Sequence, residues 1–188
     1  MTKSVAILYG SNRAGRLGIR AVEFARNLLE GRGIAVNIIE PQEYPFPILE
    51  KKYEDYGEGE APEYMVKAGE ILEKADAVLV VAGEYNHSAQ PGLINILDHF
   101  EAEYAKKPAG IMSYSYGQFG GARAAIQLRA TLAILGMVTI PTNIAIGGIL
   151  KALDKEGKPL TEATEKFGNS FIDQLIWYSD ALKAAREA

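Results

Sequence analysis

The sequence predicts an α/β protein built as a doubly wound, five-stranded parallel sheet with helices on both faces. Three observations point there. Continuous apolar runs such as "SVAILY" (4–9), "ADAVLVVAG" (75–83) and "PAGIMSYS" (108–115) suit strands buried on both faces. Helical stretches alternate with them, so successive strands are joined by crossovers and run parallel. Finally, the apolar runs end in "GSNRAGRLG" (10–18), "GEYNHSAQPG" (83–92) and "SYSYGQFGGAR" (113–123), loops rich in Gly, Ser, Asn and Tyr.

The elements follow in order. The first strand ends at Gly10. From Gly18 to Arg32, Ile19, Val22, Phe24, Ala25, Leu28 and Leu29 repeat at helical spacing, and "GRG" (31–33) stops the helix. "IAVNII" (34–39) reads as the second strand. Helices are expected over 62–74, 91–104, 121–135 and 163–186, separating the third and fourth strands from a fifth, "MVTIPTNIA" (137–145), which contains Pro141. Right-handed crossovers give the spatial order 2-1-3-4-5, in which ligands bind beyond the carboxyl ends of the strands at the switch point. That puts any chemistry in the loops after strands one, three and four.

The segment 40–62, "EPQEYPFPILEKKYEDYGEGEAP", is long for a connection. It is either an ordered surface crossing with an acidic end or a lid or subunit contact using Tyr44, Phe46, Tyr53 and Tyr56.

Composition narrows the function classes. The 188 residues suit a single domain, 1–188, with 48% hydrophobic and 23% charged residues. A net charge of -4 offers no global attraction to nucleic acid or an anionic membrane, so any anion site is local. The absence of cysteine removes disulfides, thiolate metal sites and thiol nucleophiles, and two histidines are too few for a His-rich metal site. The start "MTKSVAILYG" reads as a strand rather than an export signal, and no apolar run approaches the roughly 18 residues that span a bilayer. A cytoplasmic protein is expected.

The first loop has the Gly10 and Gly15 spacing of a phosphate loop, but Arg16 and Leu17 stand where magnesium-nucleotide chemistry needs Lys and then Ser or Thr. The dinucleotide pattern G-x-G-x-x-G is absent too. What remains is a strand, then hydroxyl, amide and guanidinium groups, then a helix whose free N–H groups favour an anion. Ser11, Asn12, Arg13 and Arg16 suit a phosphate monoester. The alternative is that Ser11 caps a helix while the arginines are solvated.

In the loop after the third strand, Tyr85 and Asn86 suit a planar polar ring, although singly they read as a packing and a turn residue. His87 and Ser88 lack the surroundings of a nucleophile pair. His99, beside Asp98, is expected on a helix without a chemical role. Gly117, Gly120 and Gly121 would admit a flat ligand close to the backbone, or serve only a tight turn.

Together, "GSNRAGRLG", "EYNHSAQPGLINILDHF" and "SYSYGQFGGARAAIQLRATLAILGM" resemble the NADPH-dependent FMN reductase family of flavodoxin-like proteins. The resemblance implies tightly bound FMN, with Ser11, Arg13, Arg16, Leu17 and Gly18 at its phosphate and Glu84, Tyr85, Asn86 and Ser88 at the flavin edge. Ser115, Tyr116, Gly117 and Gly120 fall beside the isoalloxazine and ribityl chain. It further implies NADPH or NADH as co-substrate and ping-pong transfer to a flavin, quinone, azo or metal-oxyanion acceptor, with no obligatory catalytic acid or base and no metal. Two positions depart from many relatives: Gly83 replaces a Pro and Ile94 replaces a Lys.

A homodimer or homotetramer is also implied. The candidate interface is helix 91–104, whose Leu93, Ile94, Ile96, Leu97, Phe100 and Tyr104 form either an interface or a wide core face. The competing reading is a non-enzymatic FMN electron carrier served by a partner reductase, which the two arginines and the mild acidity disfavour.

Overall fold

The structure, a computed structural model, describes residues 3–188. Apolar runs become strands β1 (Ser4–Tyr9), β2 (Ala35–Ile39), β3 (Ala77–Tyr85) and β5 (Pro108–Tyr114), with a two-residue β4 (Ser88–Ala89) folded back on β3. The fifth expected strand is broken into β6 (Val138–Thr139) and β7 (Ile144–Ile146), each pairing with β5. The break falls at Pro141, which has no N–H for a ladder. Arg129 holds the displaced chain by donating to the Ile140 and Pro141 carbonyls at 3.0 and 2.7 Å. The sheet order is β2-β1-β3-β5-β6, parallel except for the β3–β4 hairpin. It is therefore the expected order with a split last strand.

The helices are α1 (Ile19–Glu30), α2 (Glu63–Lys74), α3 (Pro91–Asp98), α4 (Ala122–Ile134), the short α5 (Ile149–Ala152) and α6 (Glu162–Glu187). Because successive side chains of a strand face opposite sides, β1 sends Val5, Ile7 and Tyr9 to one core and Ala6 and Leu8 to the other. The first core is closed by α1, α5 and α6, the second by α2, α3 and α4. Each fully buried aliphatic or aromatic side chain contributes about 1.5–3 kcal/mol. Among the described residues no helix is long and apolar enough to cross a membrane.

Helix ends are satisfied from a distance. Lys107, just before β5, donates to the Leu72 carbonyl and, at 2.8 Å, to that of Glu73, filling the carbonyl end of α2, and burial lowers its ammonium to about 8. Thr161 Oγ1 accepts the Thr164 N–H at 3.1 Å and starts α6.

Helix α3 is shorter than the expected 91–104 run. It stops at Asp98, and a single 3₁₀ turn covers Ala102–Tyr104. Leu93, Ile96, Leu97, Phe100 and Tyr104 are all fully buried in the second core, so these five form a core face, while Ile94 stays partly exposed. His99, just past the helix end, is buried with Nδ1 2.6 Å from the Asn95 carbonyl.

The 40–62 segment is an ordered crossing. Tyr44, Phe46, Tyr53 and Tyr56 pack against the second core, and Phe46 meets Phe100 edge-on at 5.7 Å. Asn95 fastens the crossing to α3, accepting the Leu49 N–H at 3.1 Å and donating to the Pro47 carbonyl at 2.7 Å.

Candidate functional site

The first loop leaves β1 at Gly10 and enters α1 at Gly18. Both glycines are demanded by packing: a Cβ on Gly10 would lie 2.1 Å from the Leu93 nitrogen, and one on Gly18 would lie 2.1 Å from the Tyr114 hydroxyl. Among the described residues, no backbone N–H from Ser11 to Ile19 donates to a protein acceptor. These donors lie at the positive end of α1, an arrangement that can cradle an anion.

The two arginines have different fates. Arg13 is exposed, its guanidinium 5.8 Å from the Tyr85 ring centroid. Arg16 turns inward to form an ion pair with buried Glu40, donates to the Ser11 carbonyl at 3.1 Å and lies 5.3 Å from the Tyr9 ring. The hydrogen bond to Glu40 raises its already high pKa. Arg16 thus braces the cradle, and its partner Glu40 was not singled out in the sequence. Leu17 is half-buried against the first core, so its contribution to the loop is its N–H.

The β3–β4 connection is a tight hairpin in which Tyr85 pairs with Ser88 and only Asn86 and His87 make the turn. Both have positive φ, 51° and 66°, as a type I′ turn requires. The turn exposes Asn86, His87 and Ser88, while the Tyr85 hydroxyl approaches Ser11 Oγ at 3.4 Å and links the first two loops. Glu84 does something the sequence did not announce. Its carboxylate accepts the Arg123 and Ala124 N–H groups at 3.0 and 3.3 Å, and the Arg123 side chain at 3.3 Å, so it caps α4 and ties the second loop to the third.

In the third loop, Ser115 Oγ donates to the Gly117 carbonyl at 2.8 Å and accepts the Gly120 N–H at 2.9 Å. Gly117 has open space where a side chain would be, and Gly120 has φ +63° against the Ala145 backbone. Tyr116 is 76% exposed.

Beneath the loops lies a polar layer that sequence reasoning missed. Gln90, fully buried, accepts the Gly83 N–H at 2.7 Å and donates to the Tyr114 hydroxyl at 3.0 Å. Tyr114 in turn reaches the Tyr9 hydroxyl at 3.4 Å. The use of the Gly83 N–H gives the departure at position 83 a physical meaning, since a proline has no N–H to offer.

Two open cavities flank the loops. One of about 590 Å³ is bounded by Ile48, Tyr85, Asn86, Ser88, Ile94 and Asp98. The other, about 720 Å³, opens between Tyr116, Gln118, Gly148, Leu150, Lys151 and Thr164. Ile94 therefore lines a cavity where a lysine would have added charge. The structure thus brings all three loops together at the carboxyl end of the sheet: a donor-rich cradle, a hairpin with exposed polar groups and a glycine-rich rim. Such a constellation has the groups to receive a small anion joined to a flat, polar body.

Comparison with known proteins agrees. The family model for NADPH-dependent FMN reductases matches residues 3–150. A quinone reductase from Pseudomonas putida is 32% identical over 178 residues, covering 91% of this chain and 91% of its own. The flavoenzyme NAD(P)H:(acceptor) oxidoreductase FerB from Paracoccus denitrificans superposes with a TM-score of 0.79 at 26% identity, over 96% of this chain and 98% of its own. A flavodoxin variant from Pseudomonas aeruginosa shares the fold, with a TM-score of 0.54 at 20% identity over 96% of this chain and 99% of its own. The chain is an oxidoreductase that belongs to the NADPH-dependent FMN reductase family and has a flavodoxin-like fold.

Proposed function

We propose that this chain is an FMN-dependent NAD(P)H oxidoreductase that passes electrons to a small acceptor of the quinone class by a ping-pong mechanism. The observation that carries the reading is the run of unpartnered N–H groups from Ser11 to Ile19 at the start of α1, converging with the hairpin and the glycine-rich rim. The residues fit FMN: a phosphate needs clustered donors without a competing carboxylate, and the buried carboxylate of Glu40 beside the loop is neutralised by Arg16.

In this reading the Ser11 hydroxyl, the Arg13 guanidinium and the N–H groups of Arg16, Leu17 and Gly18 hold the phosphate. Tyr85, Asn86 and Ser88 meet the edge of the ring system, with Glu84 holding the hairpin against α4. Ser115 shapes the rim so that Gly117 and Gly120 admit the ring, and Tyr116 flanks it. Bound FMN supplies the hydride-accepting and hydride-returning chemistry. The chain's task is to hold the cofactor and keep one face open to two substrates in turn. In net terms, NAD(P)H, a proton and a quinone become NAD(P)⁺ and a hydroquinone.

The reading extends to a cytoplasmic homo-oligomer, where reduced nicotinamide nucleotides are at hand. Its support is an exposed apolar stripe on α4, with Ile126 and Ile134 70% and 85% exposed at i and i+8, beside Phe119 at 71%.

The test is steady-state kinetics of the FMN-loaded protein with NADPH or NADH and a benzoquinone. Parallel double-reciprocal lines are expected when both substrates are varied. Intersecting lines would reject the alternating order, and absence of nicotinamide oxidation would reject the enzyme.

A further inference from the structure

We propose that the cavity beside the hairpin receives the electron acceptor as an uncharged quinone, and that Ile48 and Ile94 select it over anionic acceptors. The inference rests on the FMN reading above and divides its acceptors by charge.

The cavity is placed by its walls. Its volume of about 590 Å³ is that of a small-molecule site, and Tyr85, Asn86 and Ser88 contribute to its lining. Those three residues meet the edge of the ring system in the FMN reading, so an occupant lies beside the flavin. Asn86 and Ser88 are exposed and bring an amide and a hydroxyl, neutral groups that can donate to a carbonyl oxygen. Ile48, Leu49 and Ile94 make much of the remaining lining apolar.

Ile48 is 88% exposed, more than any other large apolar side chain among the described residues. Its backbone is nevertheless held on both sides, because Asn95 accepts the Leu49 N–H at 3.1 Å and donates to the Pro47 carbonyl at 2.7 Å. Phe46, two residues earlier, packs against the second core, while Ile48 is kept out in water at the cavity. An apolar group fixed in that way gains when an apolar ring covers it.

Charge separates one class of acceptor from another. Asp98 is the one charged residue in the lining, and its carboxylate repels an anion. Ile94 precedes it by four residues on α3, one turn away on the same face, where a lysine would have neutralised the carboxylate and met an anion itself. Arg13, whose guanidinium lies 5.8 Å from the Tyr85 ring centroid, is engaged by the phosphate in the FMN reading. The lining therefore suits a neutral quinone and disfavours sulfonated, phosphorylated or oxyanion acceptors.

The experiment isolates the reoxidation step. FMN-loaded protein, photoreduced anaerobically without nicotinamide, is mixed in a stopped-flow instrument with 1,4-naphthoquinone or its 2-sulfonate, the same ring without and with an anionic group. Return of the flavin absorbance is followed over a range of acceptor concentrations. In the parent the neutral quinone is expected to half-saturate at about tenfold lower concentration than the sulfonate. Ile94→Lys and Ile48→Lys are each expected to improve the sulfonate about tenfold at low salt, an effect that fades as the ionic strength rises. Ile48→Ala is expected to raise the half-saturating concentration of the neutral quinone about tenfold with little change in the limiting rate. Because Ile48 is so exposed, its variants keep the fold and decide the matter if Ile94→Lys does not.

A parent that prefers the sulfonate, or a preference unchanged in both lysine variants, would overturn the inference. So would a lower mass of Ile48→Lys in light scattering with the acceptor preference unaltered, which would give the cavity to a second copy of the chain. A parent whose reduced flavin neither quinone reoxidises would overturn the acceptor reading itself, a result distinct from failure of Ile48 and Ile94 to discriminate.

Discussion

Two arginines three residues apart are assigned different work, and substitution separates them. Arg13 stands exposed at the cradle, so Arg13→Ala is expected to weaken FMN binding about tenfold or more with little change in melting temperature, measured by flavin fluorescence and calorimetry. Arg16 is paired with Glu40, and both side chains are largely sealed from water. Arg16→Met leaves a buried carboxylate alone and is expected to cost about 3 kcal/mol in a denaturant titration, most of it recovered in the Arg16→Met/Glu40→Met double variant. Equal stability of the single and double variants would refute the pairing account. The sequence displayed both arginines as anion donors, and nothing local marks Glu40, 24 residues further on, as the partner. Glu84 is a similar case: its place beside the ring-facing residues was legible, but its bond to Arg123, 39 residues away, depends on the crossover that brings α4 alongside β3.

At the scale of elements, strand and helix periodicity was legible wherever both faces of the sheet are buried. It failed where a tertiary contact decided the matter. Residues 91–104 keep a helical apolar pattern, yet the chain leaves the helix at Asp98 so that Phe100 and Tyr104 reach the second core. Pro141 was visible as a flaw in the last strand, but how the chain re-pairs with β5 was not.

The packing of α6 on α1 gives a test in which two effects compete. Gly168 lies inside α6, where Ala would gain about 1 kcal/mol in helix propensity, but its Cβ would sit 2.2 Å from the Phe24 ring. Overpacking of this kind costs about 1–3 kcal/mol, so Gly168→Ala is expected to lower the melting temperature while Ser170→Ala, on the exposed face, does not. The far end of α6 is fastened to the sheet at Asp76, which takes Lys183 at 2.8 Å and the Ser4 N–H at 2.9 Å. Burial alone would raise this carboxyl, but Lys183, the Ser4 N–H and Arg186 together hold it below its usual range. A depressed folded value means stability that is present above about pH 4 and lost as the pH falls below it. The gap in melting temperature between the parent and Asp76→Asn is therefore expected to be wide at pH 7 and to close in acid; a gap independent of pH would contradict the assignment.

For the whole molecule, the switch-point rule was the most informative reading of the sequence, because it placed three separate loops at one end of the sheet before any contact was known. The polar layer of Gln90, Tyr114 and Tyr9 stayed hidden, since two tyrosines in apolar strands and a glutamine before a proline look like packing and capping residues. The proposed assembly is testable at this scale. Ile126→Glu is expected to shift the mass measured by light scattering to that of a smaller species, and an unchanged mass would move the interface off α4.

Electron flow from a nicotinamide nucleotide through bound FMN to a quinone is read by anaerobic titration of the FMN-loaded protein with NADPH and then NADH, followed by absorbance. The oxidised flavin bands are expected to bleach with a nicotinamide nucleotide alone and to return when a quinone is admitted. Bound flavin that neither nucleotide reduces would contradict this electron flow and point to an electron carrier dependent on a partner reductase.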